Sequence, residues 1–503
     1  MISFNPVFSQ IGPEWLITWL TPLWIIAVGA LLGLIVLLLL WGVLFVVARR
    51  AAGDVFETVT EGPLLPISLV TGVFAIFGIC GFPFVHAPAE ILSSLPRFAV
   101  TGEQTITQQV GNEQEFVEVS FDFPVVGEEL SSFSVSADQP IYIGKVVADQ
   151  DTGDMIEVLP EDDYEWIRAK DAVSPIGDEE VAKLAVANYG GAEAAVTIKV
   201  ATKPVYPQSA VILTTAIAVI AIFLLYFIQQ ALFPKMSAIA LSTCKSEMAQ
   251  PLFLIVLGLG AFLLFVFVYI PYNTFGEDIK MLKDSGFTTI MVLAIIHGVW
   301  AASNSVAEEI DGKTALTVLS KPVGRRSFVF GKFIGISWSV AVMFIVLGGF
   351  FLVLVAYKPI YDARESAQLA PIWDDSFIEV IRTVPGLILA FFETIVLTAV
   401  SVAISTRLPL LANFAICFSI YTLGHLTPLL VQSAVGSLPP VAFMGKFISA
   451  VLPVLEAFNI QAAVAAGREV PYSYLLWSLI YCALYSLVAM LLGLILFEDR
   501  DLA

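Results

Sequence analysis

Apolar runs of 18 or more residues recur from one end of this chain to the other. A helix of about 20 such residues crosses the hydrocarbon of a bilayer, so runs of this length read as transmembrane helices. Composition agrees. The 503 residues are 58% hydrophobic and only 14% charged, with a mean hydropathy of +0.87, whereas soluble domains carry about a quarter charged residues. An ordinary soluble protein is excluded.

Nine spans are predicted, at residues 23–47, 64–85, 209–233, 252–270, 287–306, 328–356, 379–405, 410–431 and 474–497. Trp15, Trp19 and Pro22 precede the first and read as an interfacial segment with aromatic anchors. No positive charge precedes that apolar run, and the run is too long for a signal peptide, so it reads as retained. Lysine and arginine in the short connections set the orientation. With the C-terminus in the cytoplasm, eleven fall inside, including the dense group Lys313, Lys321, Arg325, Arg326 and Lys332. Seven fall outside: Lys280, Lys283, Lys358, Arg364, Arg382, Lys446 and Arg468. The N-terminus is then outside.

The same count places residues 87–206 outside the cytoplasm. This stretch holds 22 Asp and Glu against 7 Lys and Arg, a balance of −15 out of the chain's −19. Its strands show alternation: Val117, Val119, Phe121 and Phe123 interleave with Glu118, Ser120 and Asp122, and Val196, Ile198 and Val200 repeat the period. An all-β, sandwich-like domain follows. "DQDTGD", from Asp149 to Asp154, has the look of a calcium loop, but Gly153 is misplaced and Pro160 stands where the bidentate glutamate belongs. A solvated hairpin tip is the better reading. So acidic a module lacks the Lys and Arg that phosphate contacts need, and nucleic acid is not an expected partner.

The fold class is therefore a polytopic α-helical membrane protein of about nine transmembrane helices with an inserted extracytoplasmic β-domain. Residues 1–86 form an N-terminal membrane region with two helices, 87–206 the β-domain, 207–233 a third membrane helix and 234–503 a six-helix domain. Residues 437–471 are interrupted by Pro453 and Glu456, and read as an outer re-entrant or interfacial segment, with a tenth helix as the alternative. Cys80, Cys244, Cys417 and Cys482 are scattered and the three histidines lie far apart, so no metal site is expected.

One polar stretch stands between two apolar runs: "EEIDGKTALTVLSKPVGRRSFVFGK", from Glu308 to Lys332. It is not a phosphate loop. Six residues separate Gly324 from Gly331, and Phe333 stands where a Ser or Thr hydroxyl is needed for magnesium. Instead Ala315, Leu316, Val318 and Leu319 suit a short helix that Pro322 ends, Gly324 permits a turn, and Arg325 and Arg326 face lipid headgroups or a partner. The result is a short helix held parallel to the membrane between two spans.

An acidic pair (Glu308, Glu309), Gly312, then Leu319, Ser320, Pro322, Val323, Gly324 and Arg325 between the second and third helices of a six-helix region resembles permease subunits of type-2 ABC exporters. "KMSAIALSTCKSEMAQP", residues 235–251, is similar to the amphipathic elbow helix that opens such permeases, so the likeness covers about residues 234–503. It implies that residues 314–320, with Thr314, Leu316 and Leu319, act as a coupling helix seated in a separate ATP-binding subunit. ATP and magnesium would bind that partner, and this chain would need no cofactor and would not be an enzyme. A second permease copy or a homologous permease, and membrane lipids, are the other implied partners, in a bacterial cytoplasmic membrane. The three extra spans and the β-domain depart from the minimal pattern. The alternative is a non-transporting scaffold or sensor whose β-domain binds a ligand or envelope partner.

Four polar residues interrupt the spans. Glu393 lies mid-span, where a charge is costly and often functional. His297 and Asn304 are seven apart and so share a helix face, and His425 interrupts another span. They are candidates for a translocation path, against the plainer reading of buried interhelical hydrogen bonds.

Overall fold

The computed structural model describes residues 13–111, 116–145, 155–160, 162–171, 173–177, 180–270, 278–307, 324–433, 443, 447, 451–460, 463 and 468–498. They form two units, Met1–His86 with Thr214–Ala503 and Ala87–Leu213. In chain order the helices are α1 (Glu14–Val47), α2 (Arg49–Thr60), α3 (Leu64–Cys80), α4 (Pro88–Ser93), α5 (Ala210–Leu232), α6 (Pro234–Ala249), α7 (Pro251–Tyr269), α8 (Asp278–Ala302), α9 (Arg325–Glu365), α10 (Trp373–Ser405), α11 (Leu410–Ser433) and α12 (Tyr472–Glu498). The strands are β1 (Glu103–Val110), β2 (Val117–Val126), β3 (Leu130–Ala137), β4 (Ile141–Lys145), β5 (Ile156–Val158), β6 (Tyr164–Ile167), β7 (Glu180–Asn188) and β8 (Ala194–Thr202).

The β unit is a pair of four-stranded antiparallel sheets, ordered β1-β8-β3-β6 and β2-β7-β4-β5. Most of the predicted inward set is inside: Val119, Phe121, Val196, Ile198 and Val200 join Phe133, Ile143, Trp166 and Val186 in one core, Val117 packs against it partly buried, and Phe123 is half-buried beside Pro124. Register in β2–β7 shifts between Ser120 and Val125, around Pro124, which has no N–H to give the ladder. Outside the core, Arg97 grips buried Glu129 with Nε and Nη2. Tyr206 donates to Glu90 at 2.9 Å and so ties the two ends of this unit together. Burial pushes that phenol's pKa up to about 12, and the bond to Glu90 adds to the shift. The "DQDTGD" tip lies outside the described residues.

In the helical unit each predicted span falls on a helix. Among the described residues, seven helices are long and apolar enough to cross a bilayer, or eight if α2 and α3, bent by 84°, make one broken span. A further helix is apolar over Leu410–Leu426. Two helices run well past their apolar stretches. α8 starts at Asp278 and α9 continues to Glu365, so Lys283 and Lys358 sit on helices rather than in loops, 2% and 0% exposed. Their charges are met: Lys283 donates to Glu379, and Lys358 reaches Asp362 at 2.7 Å and the Val268 carbonyl at 3.1 Å.

The N-terminal segment also differs from expectation. Trp15, Trp19 and Pro22 lie within α1 rather than ahead of it. Around the proline, Thr21 Oγ1 donates to the Ile17 carbonyl at 2.7 Å, and Trp19 Nε1 to the Val353 carbonyl at 3.0 Å.

Of residues 235–251, those up to Ala249 lie on α6, Gln250 is extended and Pro251 opens α7; the buried face of α6 is mostly small and polar, with Ser237, Ala240, Thr243, Cys244 and Glu247 beside Ile239. α9 meets that face with Gly331 and Gly335, a small-xxx-small pair of the kind that lets helix backbones close up. A Cβ at Gly335 would lie 2.6 Å from the Ala240 carbonyl oxygen, and one at Gly331 would lie 2.8 Å from Ile239 Cβ. Gly331 thus serves helix packing.

Candidate functional site

Glu393 of α10 is 2% exposed and cannot stay charged in such a place without partners. α11 supplies the first: His425 Nε2 lies 2.8 Å from Glu393 Oε1. The ring's other nitrogen, Nδ1, lies 3.2 Å from Glu456 Oε2, and Asn459 Nδ2 reaches the same carboxylate at 3.4 Å. Tyr421 packs its ring on the imidazole, centroids 4.8 Å apart. The cluster lines a cavity of ≈ 400 Å³, with Thr288 and Met291 of α8, Gly386 and Ala390 of α10 and Phe458 among its other walls. At Gly386 a Cβ would meet the Phe287 ring at 2.5 Å, so the glycine sets how closely α8 and α10 approach beside the cavity.

Glu456 arrives on a 3-10 turn, Leu455–Phe458. Its approach needs Gly424 on α11, where a Cβ would come within 2.9 Å of the Pro453 carbonyl and within 2.8 Å of Leu455. Irregular backbone inside a membrane domain persists only where protein satisfies it. α12 does this with tyrosines on one face: Tyr481 accepts from Val454 N at 2.8 Å, Tyr485 donates to the Val451 carbonyl at 3.0 Å and Tyr474 to the Ala457 carbonyl. Within the predicted outer re-entrant segment, residues 443, 447, 451–460, 463 and 468–471 are described, and 452–460 are this irregular insertion around one 3-10 turn.

Proton accounting defines the charge of the triad. Each of the two nitrogen–carboxylate contacts needs one proton. Two protons on the imidazole, or one there and one on a carboxyl group, give the same total. With both bonds made, the cavity carries one net negative charge.

A second buried polar cluster lies where residues 308–323 leave α8. α8 ends in a π-helical turn, Ser303–Ala307, a feature frequent at functional positions. Asn413 of α11, fully buried, places Nδ2 2.9 Å from Ser303 Oγ and 2.8 Å from both Ser401 and Ser405 Oγ of α10. Two amide hydrogens cannot serve three acceptors at once; with the amide turned over, its oxygen accepts from the serine hydroxyls instead. Either way one side chain joins α8, α10 and α11.

The structure brings Glu393 and His425 together and leaves His297 and Asn304 elsewhere. His297 is buried, with Nε2 2.9 Å from Ser339 Oγ and its ring against Phe253. Asn304 falls in the π-helical turn, where the period that put it in phase with His297 changes. Glu308, Glu309, Gly312, Thr314, Leu316, Leu319 and Pro322 lie outside the described residues. Arg325 and Arg326 open α9. Sequence reasoning did not single out Glu456, Asn459, Tyr421 or Asn413 as site residues. The available signals were a carboxylate and a proline in one apolar segment, and tyrosines at a seven-residue spacing on the last helix.

A comparison with curated proteins gives no match. Residues 266–502 match the family described as ABC-2 family transporter protein. The match begins inside α7 and covers α8 to α12, the helices that hold both polar clusters; α6, the elbow-like helix, precedes it. With its array of apolar helices the chain is a multi-pass membrane protein, and its residues 266–502 are similar to the membrane domain of ABC-2 transporters.

Proposed function

We propose that the chain is the transmembrane subunit of an ATP-driven exporter, forming the translocation path while a separate ATP-binding subunit supplies energy. The ABC-2 membrane domain at residues 266–502 carries this reading. Its polar cavity, with Glu393 and His425 at the wall, supports a path between α8, α10 and α11. The sequence of residues 308–323, which join α8 to α9, supports coupling. The helix at residues 314–320 seats in a cleft of the ATP-binding subunit, where ATP and magnesium bind. Closure of that subunit moves α8 and α9, and the Asn413 network passes the movement to α10 and α11. A second permease, identical or homologous, completes the assembly. The N-terminus and the β unit lie outside the cytoplasm and the C-terminus inside.

The test uses Thr422, which lines the cavity. A Thr422→Cys variant lacking the four native cysteines is co-expressed with the ATP-binding subunit and treated with a water-soluble maleimide. The labelling rate is expected to differ between nucleotide-free and ATP–vanadate-trapped complexes. Equal rates in every nucleotide state would remove the cavity from the path.

A further inference from the structure

The two arginines that open α9 face different surroundings. Arg325 turns to α12: its Nη1 donates to the Glu498 carbonyl at 2.9 Å, and its guanidinium lies over the Phe497 ring, 5.9 Å from the centroid. Such a contact answers the carbonyls left open at a helix C-terminus. Arg326 instead lines a cavity of ≈ 710 Å³ together with Ser327 and Phe330 of α9 and Lys235 and Met236 of α6.

Phe330 also lines a larger cavity, of ≈ 880 Å³, between the N-terminal helices and the family's membrane domain. Its walls include Phe74 of α3, Ile222 of α5, Phe344 of α9, Phe391 of α10 and Met490 of α12. Of the few polar side chains there, Gln229 holds Trp338: Nε1 of the indole donates to Gln229 Oε1 at 2.9 Å. The two cavities therefore meet at one phenyl ring. One has a cationic rim, at the end of the bundle from which residues 308–323 emerge, and the other an apolar interior.

A recess this apolar offers water too few partners to hold it, and within a bilayer the alternative filler is hydrocarbon. The rim carries Lys and Arg, which attract phosphate headgroups. We propose that this recess binds an anionic phospholipid, its phosphate at Lys235 and Arg326 and an acyl chain passing Phe330 into the apolar cavity. The lipid then fills the seam between α1, α3 and α5 on one side and α9, α10 and α12 on the other.

The test is photo-cross-linking of the full chain in phosphatidylcholine nanodiscs doped with a phosphatidylglycerol probe carrying a diazirine on its acyl chain, beside a matched phosphatidylcholine probe. The phosphatidylglycerol probe is expected to label peptides from residues 330–352 and 384–395 in excess of the phosphatidylcholine probe. Lys235→Gln with Arg326→Gln is expected to lower that excess about fivefold per charge lost. Labelling at the exposed Leu38 and Val46 of α1 should stay unchanged and serve as the control for folding. Ala341→Trp, which fills the recess with both charges intact, should remove labelling there by either probe. Equal labelling by the two probes, insensitive to the charge variant, would mean ordinary annular lipid and overturn the proposal. Labelling confined to the outer surface of α1 would overturn it as well.

Discussion

Glu393 and His425 are 32 residues apart in sequence and 2.8 Å apart in space, and their dependence on each other is unequal. Glu393 is nearly sealed from solvent, whereas the His425 and Glu456 side chains are 21% and 43% exposed. Truncating His425 to alanine leaves a buried carboxyl without its partner, and should cost about 3 kcal/mol, the lower end for unpairing a buried charge. Glu456→Ala should cost under about 1 kcal/mol, since the lost partner is half-exposed and water can take its place at His425 Nδ1. Adding Glu393→Gln to His425→Ala should recover part of the loss, a coupling that a double-mutant cycle of unfolding in detergent measures. Equal losses for His425→Ala and Glu456→Ala would contradict this burial argument. Asn413→Ala strands serine hydroxyls in a dry site, and should lower stability by about 1–3 kcal/mol in the same assay. At this scale the sequence was half legible. A lone glutamate in "LILAFFETIVLTAV" announces itself, but its partners come from another helix and from a turn whose placement depends on Gly424 and three tyrosines.

Among elements, the pairing of α6 with α9 shows how a glycine's effect changes sign with its surroundings. Alanine gains about 1 kcal/mol over glycine in a helix interior. At Gly258 of α7, where an added Cβ meets nothing within 4 Å, Gly→Ala should show that gain. At Gly335 the same change drives a methyl group to 2.6 Å from a backbone oxygen, and should lower the melting temperature instead. A stabilising Gly335→Ala would mean that α6 is not seated on α9 as described. The elements themselves were readable where one physical pattern ruled: apolar runs marked the helices, and strict alternation marked β2 and β8. Their ends were not. α8 extends to Asp278 and α9 to Glu365 with their buried lysines paired, Lys283 to Glu379 on α10 and Lys358 to Asp362 one turn on along α9 itself, and no local hydropathy reports that. α2, lying at 84° to α3, was hidden for the opposite reason. Its mixed sequence, from Arg49 to Thr60, resembles a connecting loop until Trp41 Nε1 is seen donating to its Ala52 carbonyl.

For the whole molecule, we propose that the chain works with a separate ATP-binding subunit through residues 308–323. The two polar clusters gain functional meaning from that coupling: one lines a cavity, and the other sits beside the segment that would be gripped. The most direct measurement is affinity purification in mild detergent from cells that express the whole system, with wild type beside a Leu316→Asp, Leu319→Asp double variant, scoring the ATP-binding subunit recovered and its ATPase activity. Wild type is expected to recover an active ATPase while the double variant, folded and inserted to the same level, recovers little of either. Recovery of the same ATPase by both would place coupling elsewhere on the chain. Recovery by neither, under conditions that preserve a known ABC complex, would contradict the claim itself.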